Sequence, residues 1–152
     1  MACSEPSRDE RKILMKDNDC IFCLIANGVI PSSTVYEDDD FRAILDLSPA
    51  SKGHTLLIPK EHAADLFELP EETCAKALCV AKKIAAAVKE VMHADGVNIL
   101  QNNGESAGQT VKHFHIHIIP RKEGDHVMEQ WIPGQSDPEE QKEIAEKIAK
   151  RI

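Results

Sequence analysis

The sequence has no excess of positive charge. Its 18 Lys and Arg stand against 26 Asp and Glu, giving a formal net charge of −8 and a pI of about 5.3. A sequence-independent nucleic-acid binder needs a basic face, so that class is disfavoured. A small anionic ligand is not, because backbone amides and a few placed cations can hold phosphate locally. No apolar run approaches a transmembrane length. Residues 1–19 are polar and charged, unlike a signal peptide. Internal repeats and low-complexity tracts are absent as well. The five cysteines, Cys3, Cys20, Cys23, Cys74 and Cys79, are odd in number. These features point to a reducing cytoplasm, where a close cysteine pair serves metal or redox chemistry rather than a structural disulfide.

What is present is an ordinary globular composition, 42% hydrophobic and 29% charged. The length fits one domain with one core. Residues 1–18 read as a mobile extension and 19–152 as the domain. Residues 20–27 form an apolar stretch that ends at Gly28, with Pro31 beyond, and predict a short helix. Residues 34–36, 41–45 and 54–59 read as strands. The acidic run 37–40 between the first two reads as a solvated turn. Ala77, Val80, Ala81, Ile84, Val88 and Val91 fall at helical spacing and predict one long helix over 70–93, with Gly96 as its stop signal. Residues 97–101 are a fourth strand. Asp137, with Pro138 at the first helical position, opens a terminal helix to Ile152. Loops between adjacent strands are too short for crossover helices. The class is therefore α+β, with a mainly antiparallel sheet.

A fifth strand carries the most unusual pattern, His113-Phe114-His115-Ile116-His117-Ile118-Ile119. Side chains alternate across a strand, so the three imidazoles share one face and Phe114, Ile116 and Ile118 the other. Buried imidazoles need hydrogen-bond partners, which makes an incidental row a poor explanation. A metal is one use, yet no Asp or Glu alternates with these histidines to complete an open site. The other is covalent catalysis. A neutral imidazole is a good nucleophile toward phosphorus, and an adduct splits one hard displacement into two. Imidazoles titrate near neutrality, so an unprotonated attacker and protonated neighbours can coexist.

The loop before this strand, from Asn102 to Thr110, is rich in glycine and small polar residues whose amides can approach an anion. A plain hairpin loop is the bland alternative. Its Gly104-Glu105-Ser106-Ala107-Gly108 also fits a serine-hydrolase elbow, but a strand follows where a helix is needed. Cys20-Ile21-Phe22-Cys23 admits three readings. A redox pair lacks its usual βαβ context. Two packed core cysteines are a fair alternative. A zinc site needs two further ligands, for which His62 and His113 are candidates, and a closed four-ligand site would be structural. Cys74 and Cys79 read as helix packing, and His93 and His126 as surface residues. Trp131 reads as a cover for the site or a partner contact, or as an exposed loop residue.

These residues resemble the histidine triad (HIT) superfamily, whose motif alternates three histidines with apolar residues. The likeness extends to Asp46-Leu47-Ser48-Pro49, to the block from Gly53 to His62, and to Asn102 through Arg121. It covers roughly residues 19–125. The resemblance implies an α+β nucleotide-binding fold, a homodimer whose sheets join, and release of a nucleoside monophosphate through a nucleotidyl-histidine. By position, His115 is the nucleophile. His117 and His54 contact the phosphate and help protonate the leaving group. Gln109 and Thr110 hold the phosphate or leaving group, with Asn102 and Gly108 nearby. Asp46 binds the ribose hydroxyls. Ile21, Phe22, Ile25 and Leu45 form the apolar slot for the base, with Ile30 beside it. Relatives with the cysteine pair bind zinc, which assigns structural zinc to Cys20, Cys23, His62 and His113. No organic cofactor is implied. The cysteine pair and the block after Gly53 resemble the nucleoside-phosphoramidase branch. Residues 107–113 and Pro120-Arg121-Lys122 resemble the fragile-histidine-triad dinucleoside polyphosphate hydrolases. The reading favoured is a purine-nucleotide hydrolase acting on a phosphoramidate or similar bond. The alternatives are the dinucleotide hydrolase and a non-catalytic nucleotide-binding module. A nucleotidyltransferase is weaker, because His117 stands where the related uridylyltransferases carry Gln.

Overall fold

The computed structural model describes residues 19–128 and 131–152, so the extension expected over 1–18 lies outside the described residues. The elements in chain order are α1 (Ile21–Ala26), β1 (Thr34–Glu37), β2 (Phe41–Leu45), β3 (Thr55–Pro59), α2 (Glu71–Val91), β4 (Gly96–Leu100), a 3-10 turn (Glu105–Ala107), β5 (Ile116–Arg121) and α3 (Pro138–Ala149). The class is α+β, as expected. The five strands form one sheet in the order β1-β2-β3-β5-β4, with every neighbouring pair antiparallel.

Helix α2 carries the chain from β3 past one strand position to β4, and β5 returns into the gap. The histidine-bearing strand is therefore interior, paired on both sides. His117 lies opposite Leu56 of β3 and Leu100 of β4. Period-two alternation divides the two faces. Phe41, Ala43, Leu57, Ile116 and Ile118 pack beneath Ala77, Val80, Ala81 and Ile84 of α2. On the other face Ile44, Leu56 and Ile58 pack against Ile25 and Ala26 of α1. This second face carries the site.

Local signals explain the ends of the elements. Gly28, with φ +77°, closes α1: its N–H donates to Ile25 O and that of Val29 to Leu24 O. The acidic run is a turn, with Asp38 Oδ1 accepting from the amides of Asp40 and Phe41. Asp137 caps α3 by accepting from Glu140 N–H.

Three expectations are corrected. Gly96 does not stop α2. His93 does, in the left-handed region at φ 49°, with its N–H on Glu90 O and that of Ala94 on Lys89 O. Gly96 instead opens β4. The strand bearing the triad begins at Ile116 rather than His113. His113 N–H closes a tight turn onto Val111 O, and Phe114 N–H leaves the sheet for Ala63 O. Leu45 is on the α2 face of β2, where it lines a hollow with Val88 and Val91, and so cannot join a slot built on α1. The alternation that turns Ile44 toward α1 turns Leu45 away. No helix among the described residues is long and apolar enough to cross a membrane.

Candidate active site and metal centre

The site is built where α1, the start of β3 and the approach to β5 meet. A six-residue helix is marginal alone. Arg42 Nη1 holds the carbonyl of Ile25, and Asn27 Nδ2 bridges Cys23 O and Lys60 O. Those bonds set Phe22 edge-on to His115, with ring centres 5.0 Å apart and planes at 88°.

Hydrogen bonds assign the tautomers. His115 Nδ1 lies 2.7 Å from the carbonyl of His113, so it carries the proton and donates. The Nε2 of His115 is then a bare lone pair. His54 Nδ1 accepts from the amide of Ala50 at 3.0 Å, so its Nε2 carries the proton and donates to His117 Nδ1 at 2.9 Å. His117 is thereby left with Nε2–H. The rings of His115 and His117 are 4.8 Å apart. Asp46 Oδ2 stands 3.6 Å from His54 Nδ1, while Oδ1 accepts from Ser48 N–H.

Burial pushes the pKa of each of these imidazoles down. Desolvation lowers His54 and His115, and it carries His117 to about 4 with help from its imidazole neighbours. All three are neutral near pH 7. One face thus presents an unprotonated nitrogen beside a protonated one, without requiring any charged ring.

His113 belongs to a different cluster. Its Nε2 is 2.9 Å from Pro59 O and donates to it. Its Nδ1 therefore faces inward, 3.4 Å from the sulfurs of both Cys20 and Cys23 and 3.2 Å from His62 Nδ1. Cys23 Sγ is 3.2 Å from His62 Nδ1. The four ligand atoms all lie within 4.8 Å of one another. A tetrahedral ion with bonds of about 2.0–2.3 Å separates its ligand atoms by roughly 3.3–3.8 Å. Two soft sulfurs and two imidazoles at this spacing fit that geometry. Asp46, His54 and His117 also group closely, but there the two imidazoles are bonded to each other.

The remaining expected residues divide. Ile25 and Phe22 line the apolar α1 face, with Ile30 beside them, and Ile21 is exposed on α1. Ile44 takes the place expected of Leu45. Applying the strand alternation to residues 41–45 would have found it. Asn102 Nδ2 reaches toward Gly108 O at 3.5 Å, and Thr110 is exposed. Gln109 is buried and its amide is committed to the loop: Oε1 accepts from Gly104 N–H, and Nε2 donates to Ala64 O and Val111 O. In this geometry its amide braces the loop from Gly104 to Val111.

A central imidazole face on an antiparallel sheet, with a cysteine–histidine cluster at its end, defines a class of histidine-motif proteins. Residues 27–124 match the HIT domain family, and the chain belongs to that family. It is 42% identical over 134 residues to adenosine 5'-monophosphoramidase hnt1 of Schizosaccharomyces pombe, spanning 88% of this chain and 98% of that protein. The crystal structure of a HIT family member from Bacillus subtilis superposes with TM-score 0.83 at 41% identity, covering 89% of this chain and 98% of that one. A zinc-bound histidine triad protein from Mycobacterium smegmatis matches at 45% identity and TM-score 0.69, covering 76% of this chain and 84% of that one.

Proposed function

We propose that the protein is a nucleotide hydrolase that releases an AMP-like purine nucleoside monophosphate from a phosphoramidate or similar leaving group. The observation that carries this is the pair of opposite tautomers, bare Nε2 on His115 and Nε2–H on His117, with rings 4.8 Å apart. His115 Nε2 attacks the α-phosphorus, forming a nitrogen–phosphorus bond as the bond to the leaving group breaks. An anionic phosphate beside His54 and His117 raises their proton affinity, so the pair takes up one proton in the complex. His117 delivers that proton to the leaving group. Water then attacks the phosphorus of the His115 adduct, the nitrogen–phosphorus bond breaks to release the monophosphate, and the water's proton returns to the pair. Asp46 supports the charged pair and reaches the ribose hydroxyls. Phe22, Ile25 and Ile44 form the apolar wall for the base. Thr110 and the amides of the Gly108 loop meet the phosphate, with Asn102 bracing that loop.

Cys20, Cys23, His62 and His113 would hold zinc. In a closed four-ligand site the ion contributes cross-linking and no activated water. The active form we infer is a cytoplasmic homodimer joined through the β4 edge, where Ile99 is exposed.

The test is His115→Ala. Turnover should vanish while nucleotide binding persists, and a labelled protein–nucleotide adduct should form only with His115 present. Full activity in the variant overturns the mechanism. Binding of AMP by the native protein with no adduct and no turnover would favour a non-catalytic module. The run from Ala107 to His113 favours a dinucleoside polyphosphate as second substrate. Comparing kcat/KM across adenylyl phosphoramidates, aminoacyl adenylates and dinucleoside polyphosphates separates the two.

A further inference from the structure

One ring nitrogen of His54 is approached from two sides. Its Nδ1 accepts the Ala50 N–H at 3.0 Å, and Asp46 Oδ2 stands 3.6 Å away. The two neighbours make opposite demands on that atom. The amide needs a lone pair there, and the carboxylate favours a proton. Both belong to the loop from Asp46 to His54. Its stem is closed by Asp46 N–H on His54 O, and His54 N–H reaches back to Ser51 O. A bond to β5 ties this loop down from outside: Ser51 Oγ donates to Pro120 O at 2.7 Å. Pairing between β3 and β5 begins with Thr55 opposite Ile118, so Pro120 lies beyond it and its carbonyl accepts from Ser51 instead.

A phosphate at the site loads a third proton on the His54–His117 pair. In the neutral pair His54 Nε2 and His117 Nε2 carry the two protons, and His117 Nδ1 accepts the first of them. The bare nitrogen is His54 Nδ1, so the third proton enters there from solvent. Ala50 N–H then opposes it and Asp46 accepts it. As His117 Nε2–H passes to the leaving group, the shared proton moves from His54 Nε2 to His117 Nδ1. The pair is neutral again with its polarity reversed. His117 Nε2 is now bare, the state that takes the proton of the attacking water.

We infer that Ser51 is a positioning residue: it holds the Ala50 amide on His54 Nδ1 and so sets, against Asp46, how readily the pair takes up its proton. The inference rests on the hydrolase reading and gives its acid a control outside the triad. The titratable groups that face His54 are Asp46 from the loop and His115 and His117 from the triad. A hydrogen bond to the bare nitrogen favours the neutral ring, and a carboxylate favours the charged one. Loss of the Ser51 bond therefore acts in the opposite direction to loss of the Asp46 charge. General loosening of the loop would not separate the two.

The experiment compares the full chain with Ser51→Ala, Ser51→Thr and Asp46→Asn. Nitrogen NMR at pH 7 reads the tautomers of the free protein. The pH dependence of kcat on an adenylyl phosphoramidate reads the charged pair. The native chain should show a bare Nδ1 on His54. Ser51→Ala should move His54 and His117 toward Nδ1–H and carry the alkaline fall of kcat to higher pH. Asp46→Asn should keep the native tautomers and carry that fall to lower pH, with KM raised by the lost ribose contact. Ser51→Thr, which keeps the hydroxyl, should match the native chain. Shifts of the same sign in Ser51→Ala and Asp46→Asn overturn the inference. So does Nδ1–H on His54 in the native chain, which is read even where a variant fails to fold. Tautomers that respond to Ser51→Ala in a chain without turnover support the tether and overturn the hydrolase reading.

Discussion

Gly53 immediately precedes His54, and replacing it should damage both the fold and the site. Its φ is +87°, and an added Cβ would lie 2.6 Å from Met92 Cγ and 2.9 Å from Sδ. Two separable costs follow. A side chain in the left-handed region costs about 1–2 kcal/mol. The contact falls on Met92 Cγ, near the root of the side chain, so relieving it means turning χ1, at about 0.5–1.5 kcal/mol for an off-rotamer angle. Gly53→Ala should therefore destabilise by about 1.5–3.5 kcal/mol. In a chain of this size that lowers Tm by about 3–14 °C. Two other glycines isolate the contributions. Gly104 has φ +87° but open space around it, so Gly104→Ala should show only the conformational part. Gly96 has neither feature, so Gly96→Ala should stay within about 0.5 kcal/mol of the native chain. Urea and thermal unfolding of the three variants should rank Gly53, Gly104, Gly96 from most to least harmful. Only Gly53→Ala should also depress kcat, because it displaces the ring that fixes the tautomer of His117. Misplacement near 1 Å costs up to about 100-fold. Equal losses at Gly53 and Gly104 would refute the Met92 contact. Equal losses at Gly53 and Gly96 would refute the whole account.

Cys23→Ala should take zinc from about one per chain to near none. Stability should fall by about 2.7 kcal/mol when free zinc is a hundredfold above the dissociation constant. Metal analysis and Tm check both, and an unchanged Tm at full metal loss contradicts the structural role. Acid should destabilise the native protein in a defined window. Burial holds His117 at about 4 in the folded chain, whereas an unfolded imidazole titrates near 6.5. The unfolded chain binds the proton first as pH falls, so this contribution is full above about 6.5 and disappears toward 4. Tm measured across that range should drop less in His117→Gln than in the native chain; a parallel drop contradicts the assignment. Ile44→Ala should raise KM for nucleotide substrates and Leu45→Ala should not. The reverse result would return the base slot to the α2 face.

The alternation of His113 to Ile119 was enough to anticipate the imidazole face and its apolar backing, because period two is a local property of extended chain, and the short loops between strands supplied the antiparallel sense. The same period, applied to residues 41–45, puts Ile44 on the α1 face and Leu45 on the α2 face. What local pattern could not supply was anything decided by a distant partner. His113 stands outside the strand because Ala63 O, fifty residues earlier, takes the amide of Phe114. Gln109 is polar and beside a glycine, which suits a ligand contact, yet three backbone groups around Gly104, Ala64 and Val111 engage its amide first. His93 ends α2 although Gly96 was the better residue for a left-handed turn.

The division of the triad follows from one residue serving two neighbours with different atoms. The ring of His113 turns its Nδ1 to Cys20, Cys23 and His62, while its carbonyl takes the Nδ1–H of His115. A ligand that holds the His113 ring also fixes the carbonyl next to it, because ring and carbonyl share one backbone position. The bare Nε2 of His115 is then a consequence of where the cysteine helix is anchored. Loosening α1 would free that carbonyl and let the His115 tautomers mix, with no change in the His115 ring itself. Cys23→Ala should accordingly lower kcat more than it raises KM, and the nitrogen NMR signals of His115 should move toward a tautomer average. An unchanged His115 tautomer in the zinc-free variant would uncouple the two sites.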